Sequence, residues 1–257
     1  MRRITKYSFA ISVILIALFS CKKNTFNVSQ RSTPKGVALV KIGFFSGTNI
    51  ANPVFGYFNG ERVTNVLVQP IAFPGGGLNM NGSLNADYLQ VKPGSTLIDF
   101  YTPVPGTGVI ASKYFSTTQT FEADKKYTLF ITDTAANATA FVVNDDAPTP
   151  DSGFAKMQFA NAIPGSISVD LYKGPTLATA VLLKSDIQYK KTTGFFDIPA
   201  GTDSFFVRTA GAPTTTLPIV RRGFPLGSQR IYTMFGRGYI GQTSGLRAIN
   251  LSVIVNQ

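Results

Sequence analysis

The residues that could do chemistry in this chain are carboxylates, because the sequence contains no histidine and only one cysteine. Without histidine, the general base of Ser-His and Cys-His sites is missing, and so is the usual ligand of zinc. The carboxylate chemistry that remains is that of a glycosidase pair. Six aspartates are candidates, and none lies in a recognisable motif: Asp87, Asp99, Asp133, Asp170, Asp186 and Asp197. We therefore predict that the chain is not an enzyme and has no catalytic residue, cofactor or metal.

The single thiol, Cys21, ends an N-terminal segment typical of exported proteins. Three basic residues within the first six precede an apolar run over 9–19, which is shorter than the roughly 20 residues of a transmembrane helix. Leu18 and Ser20 stand at positions −3 and −1 of the bacterial lipobox. The pattern predicts a signal peptide over 1–20 and attachment of lipid, diacylglycerol and an acyl chain such as palmitate, at Cys21. The alternative is an ordinary signal peptide followed by a free or buried thiol.

The net charge of +11 is divided unevenly along the chain. Residues 22–36 are polar and hold four basic and no acidic residues, which is typical of a flexible tether after the lipidated cysteine, so the tether spans 21–36. Residues 37–150 have a net charge of −2 and residues 151–257 of +6. This distribution does not concentrate into a nucleic-acid footprint, and we predict no nucleic-acid partner.

Beyond the tether, short apolar runs alternate with turn residues. The 21 Phe and 10 Tyr, punctuated by 24 Gly and 15 Pro, favour an all-β protein. Asn59-Gly60 between two alternating runs is a strong hairpin signal. About eight short strands over 37–146 predict an Ig-like β-sandwich domain. Prolines and acids over 144–151 then predict a linker before a second β-sandwich domain, 153–257.

The second predicted domain repeats the first. Residues 155–159 match 39–43, and residues 169–174 match 55–60. Three later segments also match: 194–201 with 87–94, 225–235 with 121–130, and the strand from 248 with the strand from 140. A unit of about a hundred residues indicates a tandem of domains, since solenoid repeats are about 20–50 residues long.

Four of these segments resemble the domain of unknown function 4397: Asn161-Ala162 with Pro164, VDLYKG over 169–174, IPAG over 198–201, and Tyr232-Thr233. The resemblance covers 153–257. It is weaker over 37–146, where Gly56 stands at the position that Asp170 occupies in VDLYKG. This family consists of Ig-like β-sandwich modules that are common in exported lipoproteins of Bacteroidetes-type bacteria. The resemblance implies a fold and a cellular location, and it implies no catalytic residue.

Two pairs of adjacent phenylalanines are candidates for binding a partner. Neighbouring residues on a strand point to opposite faces of a sheet, so Phe195-Phe196 and Phe205-Phe206 cannot both point into one core. One member of each pair is then either exposed, where it could grip a sugar ring or a protein, or covered by the neighbouring domain. We favour packing between the domains.

Two loop segments have both a functional and a structural interpretation. Asn144, Asp145, Asp146 and Asp151 offer oxygen ligands to calcium, but their spacing matches no known loop, and a linker explains them more simply. The glycine-rich segment 74–82 has the composition of a phosphate-binding loop. No helix is predicted to follow it, so we interpret it as a long surface loop.

A basic patch on the second domain is also conceivable. Its members would be Arg221, Arg222, Arg230 and Arg237. We favour the alternative that these side chains alternate along the solvent face of adjacent strands.

Together these patterns predict a lipid-anchored protein of the cell envelope that acts as a non-catalytic binding or structural module for a glycan or a protein partner. The alternative is a fimbrial or adhesin-type surface subunit, and a carbohydrate-active hydrolase ranks below both. Lys22 after the cysteine favours the outer membrane over retention at the inner membrane. Since no acidic cluster follows Cys21, we expect the periplasmic side rather than the cell surface.

Overall fold

The computed structural model describes residues 34–46, 53–74, 87–165, 168–212, 219–242, 244–245 and 247–257. The predicted signal peptide, Cys21 and most of the tether lie outside the described residues. The described part is all-β, as predicted, and no helix in it is long and apolar enough to cross a bilayer.

The described residues form seventeen strands in two groups. The first half contains β1 (Ala38–Phe44), β2 (Phe55–Phe58), β3 (Glu61–Arg62), β4 (Ile71–Phe73), β5 (Leu89–Val91), β6 (Gly94–Pro103), β7 (Ile110–Phe121), β8 (Lys126–Thr132) and β9 (Thr139–Asn144). The second half contains β10 (Phe154–Asn161), β11 (Ser168–Gly174), β12 (Val181–Gln188), β13 (Phe196–Pro199), β14 (Gly201–Thr209), β15 (Ile219–Leu226), β16 (Ile231–Arg237) and β17 (Asn250–Val255). Two short 3-10 turns, Ala135–Asn137 and Leu177–Thr179, precede β9 and β12.

Each half is a sandwich of two sheets. In the first half, the outer sheet has the order β3-β2-β6-β7 and the inner sheet the order β4-β1-β8-β9, with β5 also pairing with β1. Apolar residues alternate along β1, β6 and β8, so that one face of each strand lies in the core between the two sheets. The second half has an outer sheet β12-β11-β14-β15 and an inner sheet β13-β10-β16-β17 around its own core. The prediction of β-sandwiches is therefore confirmed.

The Asn59-Gly60 turn between β2 and β3 has φ angles of 49° and 83°, as a two-residue hairpin turn requires. The sequence predicted a continuous strand over 62–68 after this turn. The structure instead ends β3 at Arg62, and only an isolated bridge joins Val54 to Leu67. Strand β4 was not predicted, because it has only three residues and the glycine-rich segment begins directly after it.

The halves share one strand order in their outer sheets, and β1, β8 and β9 of the first inner sheet correspond to β10, β16 and β17 of the second. The registers show which positions correspond. In the parallel pairs β1–β8 and β10–β16, Val40 lies beside Tyr127 and Met157 beside Tyr232. Val40 therefore corresponds to Met157, whereas the sequence comparison matched Met157 with Lys41. That match was wrong by one residue, and a one-residue slip exchanges the two faces of a strand.

The two inner sheets pack face to face, so the four sheets form a stack. The second face of β1, β8 and β9 meets the second face of β10, β16 and β17 in a third apolar cluster. Nearly every residue of β1, β8, β10 and β16 is therefore buried, as is expected for sheets covered on both faces. Residues 34–257 accordingly form one compact unit. The boundary at 147–152 between two separate domains stays a prediction.

Candidate functional site

A buried polar cluster lies between the two inner sheets, centred on Asp145. One carboxylate oxygen, Oδ2, accepts hydrogen bonds from Thr128 Oγ1 at 2.6 Å and from the Tyr88 hydroxyl at 3.2 Å. The other, Oδ1, accepts from Thr233 Oγ1 at 3.3 Å and from Asn256 Nδ2 at 3.2 Å. Asp145 of the first half is thus bound by two donors from each half.

The cluster has an approximate twofold symmetry. Tyr127 and Tyr232 occupy corresponding positions, so their partners Asn144 and Val255 also correspond. The next residue along each chain segment, Asp145 in the first half and Asn256 in the second, then corresponds as well. Lys41 and Gln158 occupy corresponding positions on β1 and β10. Lys41 Nζ donates to the Val255 carbonyl at 3.4 Å, and Gln158 Nε2 donates to the Asn144 carbonyl at 2.9 Å. The contact is therefore isologous, as in a twofold dimer, although both partners belong to one chain.

Burial shifts the ionisation of this cluster. Desolvation lowers the pKa of Lys41 to about 8, although the negative charge of Asp145 opposes the shift. Desolvation likewise raises the pKa of Asp145 to about 6, against its hydrogen bond from Thr128 and the charge of Lys41. Burial and the nearby carboxylate also raise the pKa of Tyr88, so its hydroxyl remains a donor. Perturbed pKa values often mark active sites, but structural ion pairs have them too.

Next to the polar cluster, phenylalanines from both halves pack together. Phe130 and Phe235 correspond on β8 and β16, and their ring centroids are 5.1 Å apart in an edge-to-face arrangement. Phe45 stacks on Phe235 at 4.8 Å, and Phe141 stacks on Phe130 at 5.1 Å. These rings and the Asp145 cluster fill the space between the inner sheets. Lys41 and Asp145 are shielded from solvent, and their hydrogen bonds join the two halves.

The outer sheet of the first half carries tyrosines and polar side chains on the face turned away from the core. Since Ile98 and Phe100 point into the core, Asp99 and Tyr101 point outward. Tyr57 packs edge-to-face on Tyr101, with ring centroids 5.2 Å apart. We call this surface the tyrosine face: Tyr57, Asp99, Tyr101, Lys113 and Ser116.

Charged groups surround the tyrosine pair. Lys113 Nζ lies 2.9 Å from Asp99 Oδ1 and 5.4 Å from the centre of the Tyr101 ring. Ser116 Oγ donates to the same carboxylate oxygen at 2.7 Å. Burial acts to raise the pKa of Asp99, but the hydrogen bonds from Ser116 and Lys113 outweigh it and hold that pKa below its ordinary value. The face thus combines two half-buried rings with a fixed carboxylate and a half-exposed ammonium group.

The six aspartates considered for catalysis lie in different surroundings. Asp99 belongs to the tyrosine face, and Asp197 forms an ion pair with Lys156 at 3.0 Å. The structure brings Asp170 and Asp186 together, but through the backbone N–H of Asp186, which donates to Asp170 Oδ1 at 2.8 Å. Asp133 lies in a turn with φ of 72°. Asp87 lies two residues before the start of β5.

The phenylalanine pairs are not in the contact between the halves, so that prediction was wrong. Phe205 lies in the core of the second half, and Phe206 is buried on the opposite side of β14. Phe195 and Phe196 are half-buried, and Phe196 packs against the same core. Adjacent residues do alternate as expected, but Phe206 is only 2% exposed although it lies on the outer face of β14.

The segment that the sequence assigned to calcium or to a linker contributes Asp145 to the cluster between the halves. Asp146 Oδ2 accepts from the Lys126 N–H at 3.0 Å, and Asn144 Oδ1 accepts from the Asp146 N–H at 2.7 Å. Among the described residues, no three acidic, histidine or cysteine side chains lie where they could share a metal ion. Alternation along Phe141, Val143 and Asp145 was the sequence signal that could have placed Asp145 on a buried face.

Two remaining predictions concern arginines and the glycine-rich segment. Arg230 and Arg237 lie at opposite ends of β16, and Arg237 Nε donates to Ser252 Oγ at 2.9 Å. Burial lowers the pKa of Arg237 to about 10. The two therefore do not form one patch, and the side chains of Arg221 and Arg222 lie outside the described residues, as does the glycine-rich segment beyond Pro74.

Comparison with protein families finds one match. The domain of unknown function DUF4397 matches residues 78–172, which is less than half of the chain. The matched span runs from before β5 to Tyr172 in β11, so it covers mainly the first half, whereas the sequence resemblance was stronger over 153–257. No curated protein matches the chain.

Solved structures give only distant similarity. A leucine-rich repeat protein from Bacteroides thetaiotaomicron is 14% identical, with a TM-score of 0.20, and the comparison covers 77% of this chain but 26% of that one. Candidate cell adhesion proteins from Bacteroides fragilis and Bacteroides ovatus are each 9% identical, with TM-scores of 0.22, and 87% of this chain and 98% of theirs are covered. The chain thus spans about a quarter of the first protein's length. TM-scores this low do not show a common fold.

Proposed function

We propose that the chain is a lipid-anchored, non-catalytic module of the bacterial cell envelope, and that its tyrosine face binds a glycan. In this proposal Cys21 carries the lipid and attaches the chain to the outer membrane, with the periplasmic side favoured. The two halves are tandem modules of one family. The matching strand orders and the correspondence of Asp145 with Asn256 support the tandem.

The observation that carries glycan binding is the arrangement of Tyr57 and Tyr101 beside Lys113 and Asp99. Tyrosine rings present a large apolar surface with a polar tip, and such rings suit the C–H faces of sugars. A few fixed polar groups then orient the ligand. The Asp99 side chain is buried and is held by Ser116 and Lys113, and it fixes in turn the half-exposed Lys113 ammonium group, which would donate to a sugar hydroxyl. A protein partner is the competing occupant, and the test below distinguishes it.

Binding of the purified chain to an array of bacterial and host polysaccharides tests this proposal. We expect at least one polysaccharide to bind, and we expect Tyr57→Ala and Tyr101→Ala each to weaken that binding at least about tenfold, as the loss of an aromatic anchor does. Phe154→Ala is the matched control, because Phe154 is an aromatic residue of the second half that is 42% exposed. If no polysaccharide binds, or if a protein is captured through Tyr57 instead, the glycan proposal is wrong.

The anchor is tested separately. We expect the wild-type chain to fractionate with the outer membrane and to incorporate labelled palmitate, and we expect Cys21→Ser to abolish both. Incorporation of label into the Cys21→Ser variant would contradict the anchor. Digestion by protease added to intact cells would contradict the periplasmic side.

A further inference from the structure

The outer sheet of the second half contains a cavity at the position of the tyrosine face. The register places Tyr57 opposite Asp99, and Tyr172 opposite Phe206. Since β6 and β14 begin at the corresponding residues Gly94 and Gly201, Tyr172 corresponds to Tyr57, and Arg208 corresponds to Tyr101. The sequence comparison had placed Tyr172 one residue away, on the opposite face.

This cavity has a volume of about 520 Å³, within the range of small-molecule sites. Its lining residues are Tyr172, Leu177, Ala178, Ala180 and Arg208. The connection between β11 and β12, with its short 3-10 turn over Leu177–Thr179, supplies the apolar side. The first half has no such wall, because the two-residue turn at Asn59-Gly60 joins β2 directly to β3.

One wall of the cavity carries a positive charge. Arg208 is only 6% exposed, and its guanidinium carbon lies 5.9 Å from the centre of the Tyr172 ring. Its cross-strand neighbour is Asp170, whose oxygens accept backbone N–H groups: Oδ1 from Asp186 at 2.8 Å and Oδ2 from Gly211 at 3.2 Å. A guanidinium group has five N–H donors, so it can bind a ligand in addition to its contacts within the protein.

We propose that this cavity binds a small organic carboxylate with an apolar body, the carboxylate at Arg208 and the body between Tyr172 and Leu177. A planar guanidinium matches a carboxylate with two parallel hydrogen bonds, and burial strengthens the pairing. Among the described residues, the remaining lining is an aromatic ring, a leucine and two alanines, which fit a ring or a short hydrocarbon rather than a sugar. This site is separate from the tyrosine face and does not depend on glycan binding there.

Calorimetry on the full-length chain in detergent tests the proposal with phenylacetate as the probe. We expect one site with a dissociation constant of about 0.1–1 mM, as suits a ligand of about ten heavy atoms. Phenylacetamide, which has the same shape without the charge, should bind at least about tenfold more weakly. Tighter binding of glucuronate than of phenylacetate would overturn the assignment of an apolar body, and equal binding of the amide would overturn the role of Arg208.

Two variants locate the site. Arg208→Lys keeps the charge but removes the fork of donors, and we expect it to weaken phenylacetate binding at least about tenfold. Ala178→Trp fills the exposed mouth of the cavity and should abolish binding. Because Ala178 is exposed, this variant still tests the site if the buried Arg208→Lys variant does not fold. Ala123→Trp, at an exposed turn of the first half, is the control and should bind like the wild type. Unchanged binding by Ala178→Trp would refute the site.

Discussion

Replacing Phe130 with alanine is expected to lower the free energy of unfolding by about 3–5 kcal/mol, the usual cost of removing a buried phenylalanine. The Phe130 ring is fully buried between the inner sheets. It contacts Phe45 at 5.7 Å, Phe141 at 5.1 Å and Phe235 at 5.1 Å between ring centroids, so its loss leaves a cavity that involves both halves. Urea denaturation followed by far-ultraviolet circular dichroism measures the change.

The control for this variant is Phe154→Ala, which removes a partly exposed ring at the start of β10 and should cost less than about 1 kcal/mol. A cost below about 1 kcal/mol for Phe130→Ala would mean that the halves do not depend on this contact. Since the halves share a cluster, we also expect the wild type to unfold in one transition. Two well-separated transitions would show that the halves fold independently.

Replacing Lys41 with methionine is expected to cost about 2 kcal/mol at pH 7.5, because the buried Asp145 carboxylate loses a nearby positive charge and, with a pKa of about 6, can only avoid this loss by taking up a proton. At pH 5 the loss should be below about 1 kcal/mol, since the raised pKa of Asp145 lets this carboxyl be protonated there. Denaturation at the two pH values measures the difference. Lys125→Met, at an exposed position, should change stability by less than about 0.5 kcal/mol at either pH. An equal loss for Lys41→Met at both values would contradict the charge pairing.

The same two groups give the wild type a characteristic dependence on pH. Burial raises the pKa of Asp145 from 3.8 to about 6, so the stability from this group is fully present below pH 3.8 and is lost as the pH rises through 6. Burial lowers the pKa of Lys41 from 10.5 to about 8, so the stability from this group is present above pH 10.5 and is lost as the pH falls through 8. Both groups therefore contribute least between about pH 6 and 8. Lys41→Met should remove the alkaline part of this dependence.

Local signals in the sequence predicted where turns lie, but they did not predict which residues are buried by distant parts of the chain. Asn59-Gly60 predicted its hairpin because the turn needs positive φ at both residues, a requirement that does not depend on the rest of the fold. Asp145 was assigned to a linker because two prolines and three carboxylates over 144–151 interrupt the strand pattern. Its burial depends on donors from Thr233 and Asn256, which are about 90 to 110 residues away in sequence.

The faces of strands were harder to predict from sequence than the strands themselves. The sequence comparison matched Lys41 with Met157, because local sequence does not show that the stack of four sheets gives β1 two buried faces. Phe205 and Phe206 were expected to include one exposed or interface ring, because neighbouring residues on a strand point to opposite faces. That expectation holds at the tyrosine face, where Tyr101 beside the core residue Phe100 is half-exposed, and it fails at Phe206, which is buried on the outer face of β14.

The most direct test of the proposed function is amide hydrogen exchange of the full-length chain with and without the tightest-binding polysaccharide from the array. The tyrosine face predicts slower exchange in β2, β6 and β7, and unchanged exchange in the buried strands β1, β8, β10 and β16. Slower exchange confined to the second half, or an absence of any change in β2 and β6, would contradict the account.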